Sequence, residues 1–188
     1  MTEFKIFGPT DAPEKSRALL ESSLKTFGMV PNLHGVMAGA PGLLEGYQTL
    51  HRLATETSFS KEELTVVWQA INVEHGCHYC VPAHTGIAHS MKVDSSITEA
   101  LRNETPLPTS KLEALRTFTL DLVRSRGRVD DQAVSDFLKA GFSEQNVLEI
   151  VLILAQKVMS NYTNHLANTP IDKPFQKFAW VKNNVGRE

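Results

Sequence analysis

Residues 60–91 read SKEELTVVWQAINVEHGCHYCVPAHTGIAHSM, and this stretch indicates two helices that meet at a break. Ser60, followed three residues later by Glu63, is a capping box, which is a common helix start. Apolar residues then recur at helical spacing: Leu64, Val67, Trp68 and Ile71. Gly76 interrupts the pattern, and a second helix is predicted over 77–91. Helices rather than strands are therefore expected on both sides of the two cysteines.

The rest of the chain shows the same helical periodicity. N-cap residues, glycine stops and apolar spacing outline further helices: 11–28, 33–40, 43–57, 94–102, 111–125, 131–139 and 143–166. No segment alternates apolar and polar residues, which argues against a sheet. Residues 103–110 form a linker between halves of similar length, and a packed extension with a frayed end follows Pro170. We expect one all-α domain over 1–188, a bundle of about seven to nine helices.

The composition excludes several classes of protein. The 188 residues are 41% hydrophobic and 21% charged, unlike disordered or collagen-like chains. Lys and Arg total 19 against 21 Asp and Glu, so we expect no nucleic-acid or membrane partner. The longest apolar stretch, 147–158, is interrupted by Glu149, Gln156 and Lys157 and is too short to span a bilayer. Because residues 1–11 do not resemble a signal peptide, a cytoplasmic location is expected.

Four side chains that carry chemistry lie close together in the sequence: Glu74, Cys77, Cys80 and His84. If the segment is helical, both cysteines and His84 lie within about 60° of one face. Cys80 and His84 are then one turn apart, and the two cysteines are close enough for a disulfide. Glu74 joins this face if the helix continues unbroken through the intervening glycine.

This grouping favours thiol redox chemistry. A thiolate is the reactive form of cysteine, and a helix N-terminus or a histidine partner lowers the thiol pKa from its ordinary value of roughly 8.5. Cys77 is expected at the helix start, and His84 could accept the proton of Cys80. Glu74 or Glu63 could orient that imidazole, directly or through water. Once one sulfur has attacked, the other can resolve the sulfenic acid or mixed disulfide.

Two plainer interpretations of the cysteines remain open. Free cysteines are often small buried hydrophobic residues with no reactivity. Alternatively, the pair could bind structural zinc together with His84 and either His75 or His78. Structural zinc sites, however, usually take their ligands from two separated pairs.

The pattern Cys77-x-Tyr79-Cys80-x-x-x-His84 resembles the core of the AhpD-like alkylhydroperoxidases, within the carboxymuconolactone decarboxylase superfamily. The resemblance is close over 55–95 and elsewhere rests on helical character. It implies an AhpD-like helical bundle in which Cys80 attacks the peroxide and Cys77 resolves the sulfenate. It also implies that His84 accepts the proton of Cys80 as part of a Glu–His relay.

Two positions depart from the AhpD pattern. The residue before the second cysteine is Tyr79 rather than histidine, and the residue twelve positions before the first cysteine is Thr65 rather than glutamate. Glu74 and Glu63 are then the candidates for the relay carboxylate. We favour Glu74, because Glu63 already completes the capping box.

What the resemblance implies for function is a thiol-dependent peroxidase, an oxidoreductase that reduces hydrogen peroxide or organic peroxides. Electrons would come from a dithiol reductant or a reductase protein, and no metal, haem or flavin is required. The family also implies a homo-oligomer, either a trimer or a hexamer. Three alternatives stay open: a disulfide reductase, a cofactor-independent carboxymuconolactone decarboxylase-like lyase, and a non-enzymatic redox sensor.

A weak internal repeat is also visible. Phe-Ser pairs at 59–60 and 142–143 precede two of the predicted helices, about half a chain apart. A shift of 84 residues aligns the two cysteines with Asn161 and Asn164. A duplicated helical unit, with its second copy over 110–168, would give this pattern, and so would chance. The two asparagines and His165 either line a cleft or satisfy backbone groups at a helix end, and we favour the second interpretation.

Overall fold

The computed structural model describes residues 4–182, which fold into nine α-helices and one short 3-10 helix. The elements are α1 (Glu14–Phe27), α2 (Asn32–Met37), α3 (Pro41–Thr55), α4 (Lys61–Glu74), α5 (Cys80–Ser90), α6 (Ser95–Arg102), α7 (Ser110–Arg124), α8 (Asp131–Lys139), α9 (Glu144–Ala167) and η1 (Lys173–Phe178). Within the described residues there is no strand. The expected all-α class is confirmed, and nine α-helices fall within the predicted range.

Five of the nine α-helices within the described residues start at a side-chain cap, whereas α1, α2, α3 and α5 have none. Helix α1 begins at Glu14, three residues after the expected start. In α4, Ser60 accepts the N–H of Glu63, and the Glu63 carboxylate accepts the N–H of Ser60. Helix α9 begins with the same reciprocal pair, made by Ser143 and Asn146. At the other end of a helix, Gly28 closes α1 with a φ of 70°, a left-handed conformation that suits glycine.

Helices α4 and α9 pack against each other at the centre of the molecule, and the other helices surround them. One apolar cluster lies on the side of α6, α7 and α8, and it includes Trp68, Phe118 and Phe137. A second cluster lies between α5 and helices α1 to α3, and it contains both cysteines together with Leu44. The cysteines are therefore core residues of the half that α1 to α3 cover.

The segment after Pro170 packs across α5 and the end of α6. Arg102 donates to the carbonyl of Phe178 at 3.0 Å, and Trp180 donates back to the carbonyl of Arg102 at 2.9 Å. This segment is an extension packed on the domain, and the predicted fraying concerns residues outside the described range. None of the helices within 4–182 combines the length and apolar character needed to cross a bilayer.

Candidate active site

Cys77 lies in the turn between α4 and α5. Helix α4 ends at Glu74, and Gly76 adopts a φ of +65°, which reverses the chain. Helix α5 begins at Cys80, which places Pro82 in the first turn, where its missing N–H costs no hydrogen bond. The prediction of a helix starting at Cys77 is therefore wrong. The positive end of the helix dipole lies at Cys80 instead.

The turn nevertheless brings the two sulfur atoms together. The sulfur of Cys77 accepts the N–H of Cys80 at 3.3 Å, and the carbonyl of Cys77 accepts the N–H of Val81 at 3.1 Å. Both thiols are free and buried, and they hydrogen bond to each other. Cys77 therefore caps the first turn of α5 and lies beside Cys80 without belonging to the same helix.

The two thiols differ in acidity. Burial alone would raise the pKa of Cys80, but the hydrogen bond from Cys77 and the charge of Lys157 lower that pKa to about 6. Hydrogen bonds from Ser160 and Asn161 add to this effect. The hydrogen bond that Cys77 donates to Cys80, together with burial, raises the pKa of Cys77. At neutral pH, Cys80 is therefore a thiolate and Cys77 a thiol.

Helix α9 supplies polar side chains around this thiolate. The Nδ2 group of Asn164 donates to the Cys80 sulfur at 3.2 Å. Asn161 donates to Asn72 at 3.0 Å and lies 2.8 Å from Nδ1 of His75. Both α9 asparagines are fully buried, so the expectation that their side chains satisfy backbone at a helix end is wrong. They line the site.

His84 lies one turn after Cys80 on α5 and contacts a lysine. Its Nε2 atom is 2.7 Å from Nζ of Lys157, and both residues are buried, with 5% and 0% of their surfaces exposed. The Nδ1 atom of His84 has no hydrogen-bond partner among the described residues. Burial and the Lys157 charge lower the pKa of His84, so its imidazole is neutral at physiological pH. Sequence reasoning registered Lys157 only as an interruption of an apolar stretch.

The structure does not bring either candidate carboxylate to His84. Glu74 forms two hydrogen bonds to the guanidinium of Arg124 on α7, at 2.8 and 3.0 Å. Glu63 caps α4 and pairs with Lys111 at 2.7 Å. The expected direct contact from Glu74 to His84 is therefore absent from the described residues. The reversal at the glycine turn ends α4 and separates the face of Glu74 from that of α5.

The histidines considered as zinc ligands are engaged elsewhere. His75 contacts Asn161, and His78 contacts the carbonyl of Thr169 at 3.0 Å through its Nε2 atom. Within residues 4–182, no group of three or more His, Cys, Asp or Glu side chains is arranged to hold a metal ion. The geometry therefore favours the thiol interpretation of the pair over the zinc interpretation.

A cavity of about 340 Å³ lies against Cys80 and His84. Its walls are largely apolar or aromatic and include Phe27, Met29, Leu33, Tyr47, Ile87 and Phe175. The last of these walls depends on Gly86, since a Cβ atom there would lie 2.5 Å from the ring of Phe175. A cavity of this size and character admits a small organic molecule and places it beside the thiolate.

Comparison with known proteins finds similarity at the level of structure. No family model matches the chain, and no curated protein matches it by sequence. An alkylhydroperoxidase AhpD core protein from Ralstonia eutropha, also described as an uncharacterized peroxidase-related protein, superposes with a TM-score of 0.80. The two are 18% identical, and the match covers 93% of this chain and 96% of that one. The chain has the AhpD-like fold.

Two further solved structures share this AhpD-like fold. An uncharacterized peroxidase-related protein from Silicibacter has a TM-score of 0.76 at 18% identity, over 93% of this chain and 95% of the other. The debrominase Bmp8 has a TM-score of 0.77 at 19% identity, over 94% of this chain and 96% of that one. The expected fold is therefore confirmed over nearly the whole chain.

The two departures from the AhpD pattern have structural explanations in this AhpD-like chain. Thr65 is buried and donates its hydroxyl to the carbonyl of Lys61 at 2.7 Å, within its own helix. Tyr79 donates its hydroxyl to Asp172, which also accepts the N–H of Asn32 at 2.9 Å. Tyr79 therefore connects the cysteine turn to the C-terminal segment that lines the cavity, and no hydrogen bond joins Thr65 or Tyr79 to His84.

Proposed function

We propose that this AhpD-like protein is a thiol-dependent peroxidase that reduces hydrogen peroxide or organic peroxides. The observation that carries the proposal is the position of Cys80, a low-pKa thiolate that faces an apolar cavity and has a second thiol at its side. A buried cysteine without function would have its pKa raised by burial and would need no polar neighbours. Here Asn164 and Cys77 both donate hydrogen bonds to the Cys80 sulfur.

The cycle balances with these two cysteines. The Cys80 thiolate attacks the terminal oxygen of ROOH, the S–O bond forms, and the O–O bond breaks to give Cys80–SOH and RO⁻. The alkoxide takes a proton from the site and leaves as ROH. The thiol of Cys77 then attacks Cys80–SOH, and a disulfide forms with release of water. The sulfur pair is oxidised by two electrons, and the peroxide is reduced by two.

Regeneration requires a dithiol. A small dithiol or a reductase protein exchanges with the Cys77–Cys80 disulfide and leaves both thiols reduced. We also propose a cytoplasmic location, because the glutathione and thioredoxin pools there keep such a pair reduced between turnovers.

Peroxide consumption with dithiothreitol tests this proposal. We expect the wild-type protein to turn over peroxide and to lose one pair of thiols per peroxide when dithiothreitol is omitted. Cys80→Ser should reduce turnover to the uncatalysed background, because no other thiolate faces the cavity among the described residues. Cys77→Ser should still react once and accumulate a sulfenic acid that dimedone traps. Survival of both wild-type thiols in excess peroxide would overturn the proposal.

The same variants separate the other interpretations. A lyase working by acid–base chemistry would keep its activity in Cys80→Ser. A non-enzymatic sensor would form the disulfide once but show no turnover with dithiothreitol. A disulfide reductase would reduce protein disulfides faster than peroxides.

Reductive debromination is a second candidate function for the same thiolate. The apolar, aromatic-lined cavity favours it, and Bmp8, a debrominase with this fold, has been solved in complex with 2,3,4-tribromopyrrole. The balanced reaction converts R–Br and two thiols into R–H, a disulfide and HBr. Bromide release from tribromopyrrole in the presence of dithiothreitol would support this candidate. If no bromide is released but peroxide is turned over, debromination is excluded and the peroxidase proposal stands.

We propose that the protein is a homo-oligomer, a trimer or a hexamer. Helix α9 presents large apolar side chains along one exposed stripe: Leu148, Val151, Tyr162 and Leu166. Between 49% and 75% of the surface of each residue is exposed. A continuous apolar surface of this kind is typical of an interface with another protein chain. Light scattering on a sizing column measures the mass. Leu148→Glu should yield monomers if this stripe is the interface, whereas Lys139→Glu on α8 should leave the mass unchanged.

A further inference from the structure

We infer that Lys157 is a positioning residue that makes His84 a proton donor to the departing alkoxide, rather than a base that takes the proton of Cys80. The inference rests on the proposed peroxidase function and specifies how its first step is driven. It reverses the direction of proton transfer that the AhpD resemblance implies for this histidine.

The hydrogen bond between the two side chains determines the tautomer of His84. Lysine has no acceptor when charged, so in the 2.7 Å contact Nζ of Lys157 donates and Nε2 of His84 accepts. The single proton of the neutral imidazole is then on Nδ1. That atom is buried and has no partner among the described residues, so it is an unused donor in a residue that lines the cavity.

The surroundings of His84 oppose a base role. Burial lowers the pKa of His84 most, and the charge of Lys157 from α9 lowers it further; His51 from α3 acts in the same direction, but its own pKa is lowered to about 4. Nε2 of His84 hydrogen bonds to Lys157, and Nδ1 has no partner among the described residues. No described carboxylate therefore hydrogen bonds to the ring. Protonating His84 would place two cations in contact inside the core, which burial makes costly. Cys80, one turn earlier on α5, is thus stabilised as a thiolate by the charge of Lys157.

The step then balances without a base. The Cys80 thiolate attacks the terminal oxygen of ROOH, and the electron pair of the O–O bond leaves on RO⁻. The alkoxide takes the Nδ1 proton of His84, and Nε2 of His84 takes a proton from Lys157. The products are Cys80–SOH, ROH, a neutral His84 with its proton on Nε2, and a neutral Lys157. When the dithiol later reduces the disulfide, it supplies two protons. One goes to the Cys77 thiol, and the other restores the charge of Lys157 beside His84.

Burial is consistent with a lysine that can give up its proton. Desolvation lowers the pKa of Lys157, while the negative charge of the Cys80 thiolate raises it and so favours the charged amine before reaction. Once the thiolate has become a sulfenic acid, the charge that favoured the ammonium has gone. Loss of a proton from Lys157 is therefore coupled to oxidation of Cys80.

The leaving group of the oxidant tests the inference. An alkyl hydroperoxide releases an alkoxide, which needs a proton, whereas peracetic acid releases acetate, which does not. We expect Lys157→Met to slow oxidation of Cys80 by cumene hydroperoxide far more than oxidation by peracetic acid. General acid catalysis is worth about 10²–10⁴-fold, so the ratio of the two rates should change by at least about 10²-fold. The fraction of thiolate cancels in that ratio.

A second lysine variant separates charge from proton supply. Lys157→Arg keeps a cation beside Cys80 but cannot deprotonate, so its ratio should resemble that of Lys157→Met while its Cys80 pKa stays low. Lys139→Met, on the exposed face of α8, should leave both rates and their ratio unchanged. An unchanged ratio in Lys157→Met, with both oxidants still reacting, overturns the inference and leaves the peroxidase in place. Failure of the wild-type protein to react with either oxidant overturns the proposed function itself.

Nitrogen NMR of the wild-type protein tests the same point if the Lys157 variants do not fold. With His84→Gln used to assign its signals, the ring should be neutral and carry its proton on Nδ1 while Cys80 is a thiolate. An imidazolium, or a proton on Nε2, would overturn the inference.

Discussion

The candidate site is built from two different kinds of segment: the turn between α4 and α5, and the uninterrupted helix α9. Both α4 and α9 begin with a serine capping box, but α4 ends at Glu74, three residues before Cys77, whereas α9 contacts the Cys80 sulfur through Asn164. After α4 ends, Gly76 reverses the chain and α5 starts at Cys80. The N-terminus of α5 therefore lies at Cys80 and favours an anion there. Helix α9 continues for 24 residues and holds fixed donors and a cation against that anion. The interrupted segment formed by α4 and α5 therefore carries the Cys80 thiolate, and the continuous helix α9 carries the side chains that stabilise it.

The largest effect is expected from removing the left-handed turn. Gly76→Ala places a Cβ on a residue with φ of +65°, which costs about 1–2 kcal/mol, although no backbone atom crowds it. We expect a lower free energy of unfolding and a slower reaction of Cys80 with peroxide, because Cys77 is displaced. Urea titration and peroxide kinetics measure the two effects. Gly42→Ala, the same change within α3, should be neutral or stabilising. Equal behaviour of the two variants would show that the turn does not depend on glycine.

A smaller effect is expected from the donor that α9 supplies. In the wild-type protein, alkylation of Cys80 by iodoacetamide should rise with pH through a midpoint of about 6, and slow about tenfold per unit below it as the thiolate is protonated. Asn164→Ala removes the 3.2 Å hydrogen bond to the sulfur and should raise that midpoint by about one unit. An unshifted midpoint would mean that α9 contributes through Lys157 rather than through Asn164.

The smallest effect is expected from the carboxylate that sequence reasoning placed in the relay. Glu74→Gln weakens the ion pair with Arg124, in which the Glu74 side chain is 12% and the Arg124 side chain 52% exposed, so the loss of stability should be about 1 kcal/mol. Because Glu74 does not contact His84, peroxide turnover should change by less than about twofold. A tenfold loss of peroxide turnover would instead support a relay from Glu74 to His84, which the geometry opposes.

The fold followed closely from local signals. Serine and aspartate caps, glycine stops and apolar spacing identified the helices, because those signals act within one or two turns of chain. The register of Cys80 with His84 was predicted for the same reason. The position of Cys77 was not, since its turn depends on how α4 packs before Gly76 reverses the chain. Lys157 was visible as a charge in an apolar stretch, and Asn164 as the counterpart of Cys80 in the half-chain repeat, but neither signal named a partner.

The sequence by itself determined that this chain is a helical bundle with two neighbouring cysteines near a histidine, because capping, periodicity and the i,i+4 register are local properties of the backbone. Only the tertiary structure decided which residues control those groups. Lys157 and Asn164 are more than seventy residues away from His84 and Cys80 along the chain, and packing of α9 against α4 brings their side chains into contact with those two residues. The charge state of a buried thiol depends on its nearest neighbours in space, whatever their distance in sequence.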